Sequence, residues 1–293
     1  MLAAVSLAAC GEDEPGANAA VSVVATTTQA ADLARQVGGE RVHVTGLLQP
    51  NSDAHDYEPR PSDARAVAEA DLVIRSGGEI DEWLTDVAGG EDAVVLIDAV
   101  GRRGDDPHWW QDPRNGLIAV EAIREALAAA DPDGAAAYAR NAVAYSGHLR
   151  ELDREIARCL RRIPAGQRKL VTTHDALGYY TERYGLDVIG ALIPSLSSQA
   201  QPSAGDIQEL VEQIRAEGVA AIFPESSLSP RLEEAVAREA GVEVGGALYA
   251  DALGAEGSAG ETYAGSLAAN TRTIVEGLSG GRLSCMPGTP RGA

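Results

Sequence analysis

The sequence of 293 residues is poor in aromatic side chains and in positive charge. Only 4% of its residues are aromatic, although 45% are hydrophobic. The core must therefore consist largely of Ala, Val, Leu and Ile, which suits parallel sheets that are covered by helices. Lys and Arg number 24 against 44 Asp and Glu, so the formal charge is −20. This shortage of cationic side chains disfavours nucleic acid as a partner and is compatible with attraction of cations.

Long apolar runs are also missing, since no stretch reaches the roughly 18 apolar residues of a membrane span. The N-terminus has a short apolar run that ends in Leu-Ala-Ala-Cys10-Gly and resembles a bacterial lipobox. We therefore expect residues 1–20 to be a lipoprotein signal and tether, with Cys10 as the lipidated residue. The alternative is an ordinary N-terminus in which Cys10 occurs by chance.

Cysteine is scarce, and only Cys159 and Cys285 remain besides Cys10. Outside the cytoplasm such a pair can oxidise, and a Cys159–Cys285 disulfide would tie the C-terminal tail to the helix that carries Cys159. Sequence spacing cannot show whether the two residues are close, so a disulfide and two free thiols both remain open. Neither cysteine lies near a histidine motif, which disfavours thiolate ligation of a metal.

Strand-like runs alternate with helical patterns in two groups of four, which indicates parallel βαβ units. The predicted strands are 21–26, 41–48, 72–77 and 93–98, and then 168–173, 187–193, 219–223 and 242–249. Between the groups, the chain from Asp131 to Arg162 has few helix breakers and predicts a helix of roughly 30 residues, about 45 Å long. We therefore predict an α/β fold with two four-stranded parallel-sheet lobes joined by one long α-helix. The predicted parts are an N-terminal α/β lobe, a linking helix and a C-terminal α/β lobe, over 21–130, 131–165 and 166–293.

Four polar side chains each follow a strand-like run, in a short polar segment: His55, His108, His174 and Asp251. Open α/β sheets bind ligands beyond the carboxyl ends of their strands. A cleft between the lobes would therefore bring all four side chains together. The remaining histidines, His43 and His148, lie within a predicted strand and a predicted helix, and we expect them to be structural.

Three imidazoles and one carboxylate predict a transition-metal site. Imidazole favours Zn, Cu, Ni and Fe over Mg or Ca, and zinc accepts four such donors as a tetrahedron. Manganese prefers more oxygen ligands, so Zn(II) comes first, with Mn(II) or Fe(II) second. Ligand histidines usually donate their other N–H to a carboxylate or carbonyl, which makes candidates of Glu58, Asp112, Asp175 and Glu225. Glu225 also follows a strand and is the alternative to Asp251 as the fourth ligand.

The motifs occur together and in a specific order over about residues 21–280. They are HDYEPRPSD at 55–63, ADLVIRSGGEIDEWL, DPHWWQDPRN, TTHDALGYY, IFPESSLSP and LYADALG. In this combination the chain resembles the substrate-binding lipoproteins of bacterial zinc/manganese ABC importers. The resemblance implies two α/β lobes, a single linking helix, and a metal buried in the interlobe cleft. The implied ligands are His55, His108, His174 and Asp251.

The third ligand separates subclasses within the family that the chain resembles. Members similar to zinc carriers have His there, whereas many manganese carriers have Glu, so His174 supports zinc. Many zinc members also have a long His-rich loop before the second ligand, and here that segment is only VGRRGDDP. We therefore expect an intact metal site without an auxiliary His-rich loop.

The expected function is high-affinity capture of Zn(II) outside the cytoplasm and its delivery to the membrane permease of an ABC importer. We expect a monomer that is lipid-anchored to the outer face of the cell membrane, or periplasmic, with a metallochaperone as a further candidate partner. The alternatives are an Mn(II) or Fe(II) carrier, a surface adhesin or metal buffer, and a zinc-dependent hydrolase with water at the fourth position. The sequence contains no HExxH motif, which disfavours the hydrolase.

Overall fold

A computed structural model describes residues 21–86 and 92–288, which form an α/β fold. The strands are β1 (Val21–Ala25), β2 (Val42–Gly46), β3 (Leu72–Arg75), β4 (Val94–Val95), β5 (Lys169–His174), β6 (Asp187–Ile193), β7 (Ala221–Ile222) and β8 (Glu243–Val244). The α-helices are α1 (Thr28–Gly38), α2 (Pro61–Glu69), α3 (Leu96–Val100), α4 (Pro113–Ala130), α5 (Ala135–Leu160), α6 (Gly178–Tyr184), α7 (Ala204–Glu217), α8 (Arg231–Ala240) and α9 (Tyr263–Leu278). The predicted tether with Cys10 and the last five residues of the predicted C-terminal lobe lie outside the described residues.

The first sheet is parallel, with the strand order β2-β1-β3-β4. All four strands occur where the alternation predicts them, but β4 is much shorter than the predicted 93–98. Helix α3 begins at Leu96, and Leu96 and Ile97 are buried in helical conformation. A short apolar run does not distinguish a buried strand from a buried helical turn, which explains the error.

The second sheet has the same strand order in space, although it is less regular. The structure contains the parallel pairs β5-β6 and β7-β8, joined by an isolated bridge between Thr172 and Phe223. Across this bridge, the Phe223 N–H donates to the Val171 carbonyl at 2.9 Å. The order is therefore β6-β5-β7-β8. Strand β7 ends early because Pro224 has no N–H to continue the ladder.

The long helix between the two sheets is α5, with 26 residues. It would span about 39 Å at 1.5 Å per residue, slightly less than predicted. The predicted start at Asp131 forms a separate 3-10 turn, in which the Asp131 side chain accepts from the Gly134 N–H. None of the helices in the described ranges combines the length and the apolar character of a membrane span.

One hydrophobic core extends through both halves of the molecule, which we call the first half (21–130) and the second half (166–288). It includes Val23 of β1, Tyr138 of α5, Leu170 of β5 and Ile274 of α9. Aliphatic side chains dominate it, as the composition predicts, but the largest fully buried side chains are aromatic and include Trp109, Trp110 and Tyr263. Because the halves share this core, the domain boundaries at 130 and 165 stay a prediction.

Cys159, near the end of α5, is joined by a disulfide to Cys285 in the tail that follows α9. The Cα atoms lie 5.7 Å apart, and 126 positions separate the two residues in sequence. Both side chains also belong to the shared core, Cys159 as a buried member and Cys285 packed against it. The disulfide therefore attaches the tail at the point where it covers α5.

We expect the Cys159→Ser/Cys285→Ser double variant to be less stable than the unsubstituted protein by about 2–5 kcal/mol, because the crosslink restricts a long loop in the unfolded chain. Urea unfolding would measure the difference. The control is the unsubstituted protein under reducing conditions, which should unfold like the variant. Equal midpoints for the oxidised and reduced protein would contradict this prediction.

Candidate metal centre

The four predicted ligands converge in the interior. One donor atom from each of His55, His108, His174 and Asp251 lies within 4.8 Å of the others. The side chains of all four are almost inaccessible to solvent, with at most 3% of the side-chain surface exposed. The sequence expectation that loops from both halves meet at one point therefore agrees with the structure.

The distances between the donors can be compared with those around a tetrahedral zinc ion. Bonds of 2.0–2.1 Å in a tetrahedron put neighbouring donors about 3.3 Å apart. The two Nε2 atoms of His55 and His108 are 3.4 Å apart. Asp251 Oδ1 lies 3.3 Å from His108 Nε2, and Asp251 Oδ2 lies 3.4 Å from His55 Nε2 and 3.3 Å from His174 Nε2. The side chains thus already have a spacing that fits one metal ion.

Unpaired polar atoms at the same point also indicate a cation site. His174 Nε2 and both carboxylate oxygens of Asp251 are buried and have no hydrogen-bond partner among the described residues. Their mutual ion pairs, at 3.3–3.4 Å, offset part of the cost of burying them. A bound cation would satisfy all of them together.

His55 is positioned by a short polar loop after β2. Asp53 Oδ1 accepts from the His55 backbone N–H at 2.9 Å, and Asp53 Oδ2 accepts from the Ser198 hydroxyl at 2.8 Å. Ser198 lies after β6, so Asp53 connects the His55 loop to the second half. The Nδ1 atom of His55 faces the exposed carboxylate of Glu79 at 3.9 Å.

His108 is fixed by a carboxylate that the sequence reasoning did not identify. Asp106 Oδ1 lies 2.8 Å from His108 Nδ1 and also accepts from the His108 backbone N–H at 3.0 Å. The other Asp106 oxygen accepts from Arg103 at 3.0 Å. The Trp110 ring packs edge-on against the His108 ring, with 5.4 Å between centroids. The ring orientation directs Nε2 towards the other ligands.

His174 is the last residue of β5, and Glu225 lies directly beside it. Glu225 Oε2 is 3.0 Å from His174 Nδ1, and Glu225 Oε1 accepts from the Ser227 hydroxyl. The position of Glu225 behind the imidazole ring gives it the orienting contact expected of a candidate carboxylate. The oxygens that face the three Nε2 atoms belong to Asp251.

The electrostatics of the metal-free site favour protons on two of the imidazoles. Burial lowers the pKa of His108, but the hydrogen bond with Asp106 and the charge of Asp251 outweigh it and raise the pKa to about 9. Burial also lowers the pKa of His174, and the charges of Asp251 and Glu225 raise it to about 11. Burial lowers the pKa of His55. Although burial alone would raise the pKa of Asp251, the nearby imidazoliums hold it below its usual range.

The other predicted carboxylates lie elsewhere. Asp112 is buried, but it caps α4 through the Arg114 N–H and pairs with the Arg114 side chain. Glu58 and Asp175 are exposed, and no hydrogen bond joins either side chain to a ligand histidine in the described part of the chain. Asp106 takes the role expected of Asp112. Its signal in the sequence is its position two residues before His108, where it can accept from both the backbone and the ring.

The remaining histidines lie outside the site. His43 is exposed on β2, and His148 is exposed on α5. Neither belongs to the group of four converging residues, and a structural role for them stays a prediction.

Residues 23–277 match the family described as ZnuA, zinc-uptake complex component A, periplasmic. The chain belongs to this family. It is 34% identical to the manganese-binding lipoprotein MntA of Halalkalibacterium halodurans, over 95% of this chain and 96% of that protein. It is 31% identical to the iron-binding protein YfeA of Yersinia pestis, over 94% and 92%. The solved periplasmic zinc binding protein TroA of Treponema pallidum is similar with a TM-score of 0.82 and 29% identity, over 88% of this chain and 99% of that chain.

Membership of this family confirms several expectations. The protein is a metal-binding substrate-binding component of an ABC importer and is not an enzyme, so the hydrolase alternative is excluded. The family is periplasmic, which confirms the expected location outside the cytoplasm. Lipidation of Cys10 stays a prediction.

We expect Asp106→Asn to weaken binding of a divalent metal about 10- to 100-fold, because a carboxylate behind a ligand histidine fixes its ring and raises its basicity. Competition with a chromophoric chelator would measure the affinity. Asp105→Asn is the matched control, since it removes the same charge from an exposed neighbouring position. Equal affinities of the two variants would contradict a positioning role for Asp106.

Proposed function

We propose that this protein captures Zn(II) outside the cytoplasmic membrane with His55, His108, His174 and Asp251, and delivers it to the permease of an ABC importer. The observation that carries the proposal is the spacing of the donors, three imidazole nitrogens and a carboxylate with separations of 3.3–3.4 Å. Zinc has no geometric preference of its own and accepts this set as a closed four-coordinate site.

Charge balance also supports a divalent cargo. In the metal-free protein, protons on His108 and His174 offset the buried carboxylates that surround these rings. A divalent ion brings the same two positive charges when it replaces those two protons. The site can therefore be filled and emptied without a large change in buried net charge, which limits the cost of desolvation.

Manganese is the second candidate, and one geometric observation favours it. The two oxygens of Asp251 face different imidazoles, Oδ1 towards His108 and Oδ2 towards His55 and His174. A bidentate Asp251 would give five donors, and manganese prefers more oxygen ligands than zinc does. Two relatives, the MntA proteins of Halalkalibacterium halodurans and Bacillus subtilis, are named as manganese-binding lipoproteins.

We expect zinc to bind more tightly than manganese, in line with the general order of affinities for nitrogen and oxygen donors. Elemental analysis of the purified protein, followed by competitive Zn/Mn titration, would test this. Zinc at a thousandfold excess over its Kd should raise the free energy of unfolding by about 4 kcal/mol. A shift in melting temperature with manganese but none with zinc would reverse the assignment of the metal.

Two histidine substitutions test whether zinc binds at the proposed ligands. His108→Ala should abolish the rise in melting temperature that zinc causes. His148→Ala should retain this rise, because His148 is exposed on α5. In cells, zinc uptake that depends on this protein should be lost with His108→Ala and kept with His148→Ala. Uptake that survives His108→Ala would remove the basis for the proposed carrier role.

We expect zinc binding at pH 7 to release protons, because His108 and His174 must be neutral to act as ligands and their pKa values are raised to about 9 and 11. Affinity should fall with decreasing pH throughout the range below these pKa values, by about tenfold per pH unit for each imidazole that has become protonated. Calorimetry in buffers with different ionisation enthalpies would count the protons. An affinity that is constant between pH 6 and 8 would contradict ligation by these two imidazoles.

The remaining features of the proposed carrier concern its assembly. We propose a monomer with an N-terminal lobe over 21–130, a linking helix over 131–165 and a C-terminal lobe over 166–293. Cys10 would anchor it to the outer face of the membrane through a tether. A metallochaperone is a further partner in this proposal, besides the permease. The absence of a His-rich loop before His108 leaves the four-ligand site as the point of zinc capture.

A further inference from the structure

The loop 249–254, which carries Asp251, follows β8 of the second half. Its first residue, Tyr249, is hydrogen-bonded to Asn270 of α9, but Ala250, Asp251 and Leu253 are bound by the first half. The indole N–H of Trp110 donates to the Ala250 carbonyl at 2.8 Å, and the Gln111 amide donates to the same oxygen at 2.9 Å. The Gln29 amide donates to the carbonyl of Asp251 at 3.1 Å. Two consecutive residues of the loop are thus bound across the boundary between the halves.

A third residue of the loop is bound in the same way. The Leu253 N–H donates to the Thr28 hydroxyl at 2.9 Å, and the Leu253 carbonyl accepts from the backbone N–H of Asn51 at 2.9 Å. The Thr28 hydroxyl in turn donates to the Gln29 amide oxygen at 3.0 Å, which directs the Gln29 N–H towards Asp251. We call the side chains of Thr28, Gln29, Trp110 and Gln111 the Asp251 clamp. All four are buried.

His174 has a different set of supports. The N–H of the next residue, Asp175, donates to the Ser195 carbonyl at 3.0 Å. On the other side, the Thr173 hydroxyl accepts from the Glu225 N–H at 3.0 Å and donates to Glu233 at 2.6 Å. These partners belong to the second half. Polar contacts with the first half come from α6, where the Tyr179 hydroxyl accepts from the Arg103 N–H at 3.0 Å, and from the loop after β6, where the Ser198 hydroxyl donates to Asp53 at 2.8 Å.

We propose, on the basis of the zinc-carrier function above, that the Asp251 clamp makes His55, His108 and Asp251 one ligand unit, and that His174 alone parts from the ion on release. The clamp residues are positioning residues, since they act on the ion only through the Asp251 loop. Chain order divides the ligands two and two between the halves. The hydrogen bonds at Ala250 and Asp251 nevertheless attach Asp251 to the first half, whereas those on both sides of His174 are made within the second half.

This division has a chemical consequence for release. Withdrawal of His174 leaves two imidazoles and a carboxylate on the ion, with one coordination position free for water or for a ligand from the acceptor. Metal uptake would follow the reverse order. The ion would first bind to His55, His108 and Asp251, and His174 would coordinate it last. The Asp251 loop therefore keeps the same structure in the loaded and the metal-free protein.

Hydrogen exchange of the metal-free and the zinc-bound protein tests this division directly. We expect zinc to increase protection at residues 174–177 and 193–198, while residues 249–254 are equally protected in both states because the clamp does not depend on the ion. A gain at 249–254 as large as that at 174–177 would overturn the proposal, and so would the absence of a gain at 174–177.

A matched pair of substitutions at Thr28 tests the clamp itself. Thr28→Val keeps the shape of the side chain but removes both hydrogen bonds of the hydroxyl, whereas Thr28→Ser retains the hydroxyl. We expect Thr28→Val to weaken zinc binding about tenfold and to increase hydrogen exchange at 249–254 in the metal-free protein. Thr28→Ser should behave like the unsubstituted protein in both measurements. A general structural defect would instead increase exchange at 174–177 as well.

The two proposals fail in different ways. If the unsubstituted protein does not bind zinc, or if His108→Ala binds it equally well, the proposed carrier site is wrong. If zinc binds through His108 but Thr28→Val and Thr28→Ser give the same affinity and the same exchange at 249–254, the clamp is overturned while the carrier site stands.

Discussion

Asp251 is a fully buried carboxylate whose oxygens face three imidazoles, and the rest of the structure accommodates this charge. Burying an unpaired carboxylate is very unfavourable, so positive charge must accompany it, either as protons on the imidazoles or as a metal ion. The carboxylates of Asp106 and Glu225 increase that requirement, because each contacts the far side of a ligand ring. The site thus attracts cations through its own composition, independently of the acidic surface of the molecule.

The two sheets use the same strand order to build different parts of the site. In an order such as β2-β1-β3-β4, the ligand crevice lies where the connections diverge, beyond the first and third strands of the sheet. In the second sheet those strands are β5 and β7, and they lead directly to His174 and Glu225. In the first sheet, His55 and His108 follow the outer strands instead and reach the centre through longer loops. Residues held directly at strand ends and residues held by loops therefore converge at one point.

Much of this arrangement could be predicted from the chain. The alternation of apolar and helical patterns predicts the parallel sheets and the long helix, and the polar segments after strands predict all four residues that converge. The prediction of Asp112 as the carboxylate behind His108 is wrong, because Asp106 and Asp112 are both near it in sequence and only the spacing of Asp106, two residues before His108, distinguishes them. Their roles depend on which of them faces the ring and which caps α4, and this is decided by the local backbone. The clamp on Asp251 could not be predicted, since Gln29 and Asp251 are 222 positions apart.

The disulfide between Cys159 and Cys285 keeps the second half covalently attached to the rest of the protein after a single proteolytic cut. It closes a covalent ring that contains β5–β8, α6–α9 and the residues His174 and Asp251. A protease that cuts any single loop inside this ring opens it without producing a separate fragment, because both pieces remain attached to α5. For a protein outside the cytoplasm, one cleavage in an exposed loop of the second half would therefore leave the ligands of both halves in one covalent molecule.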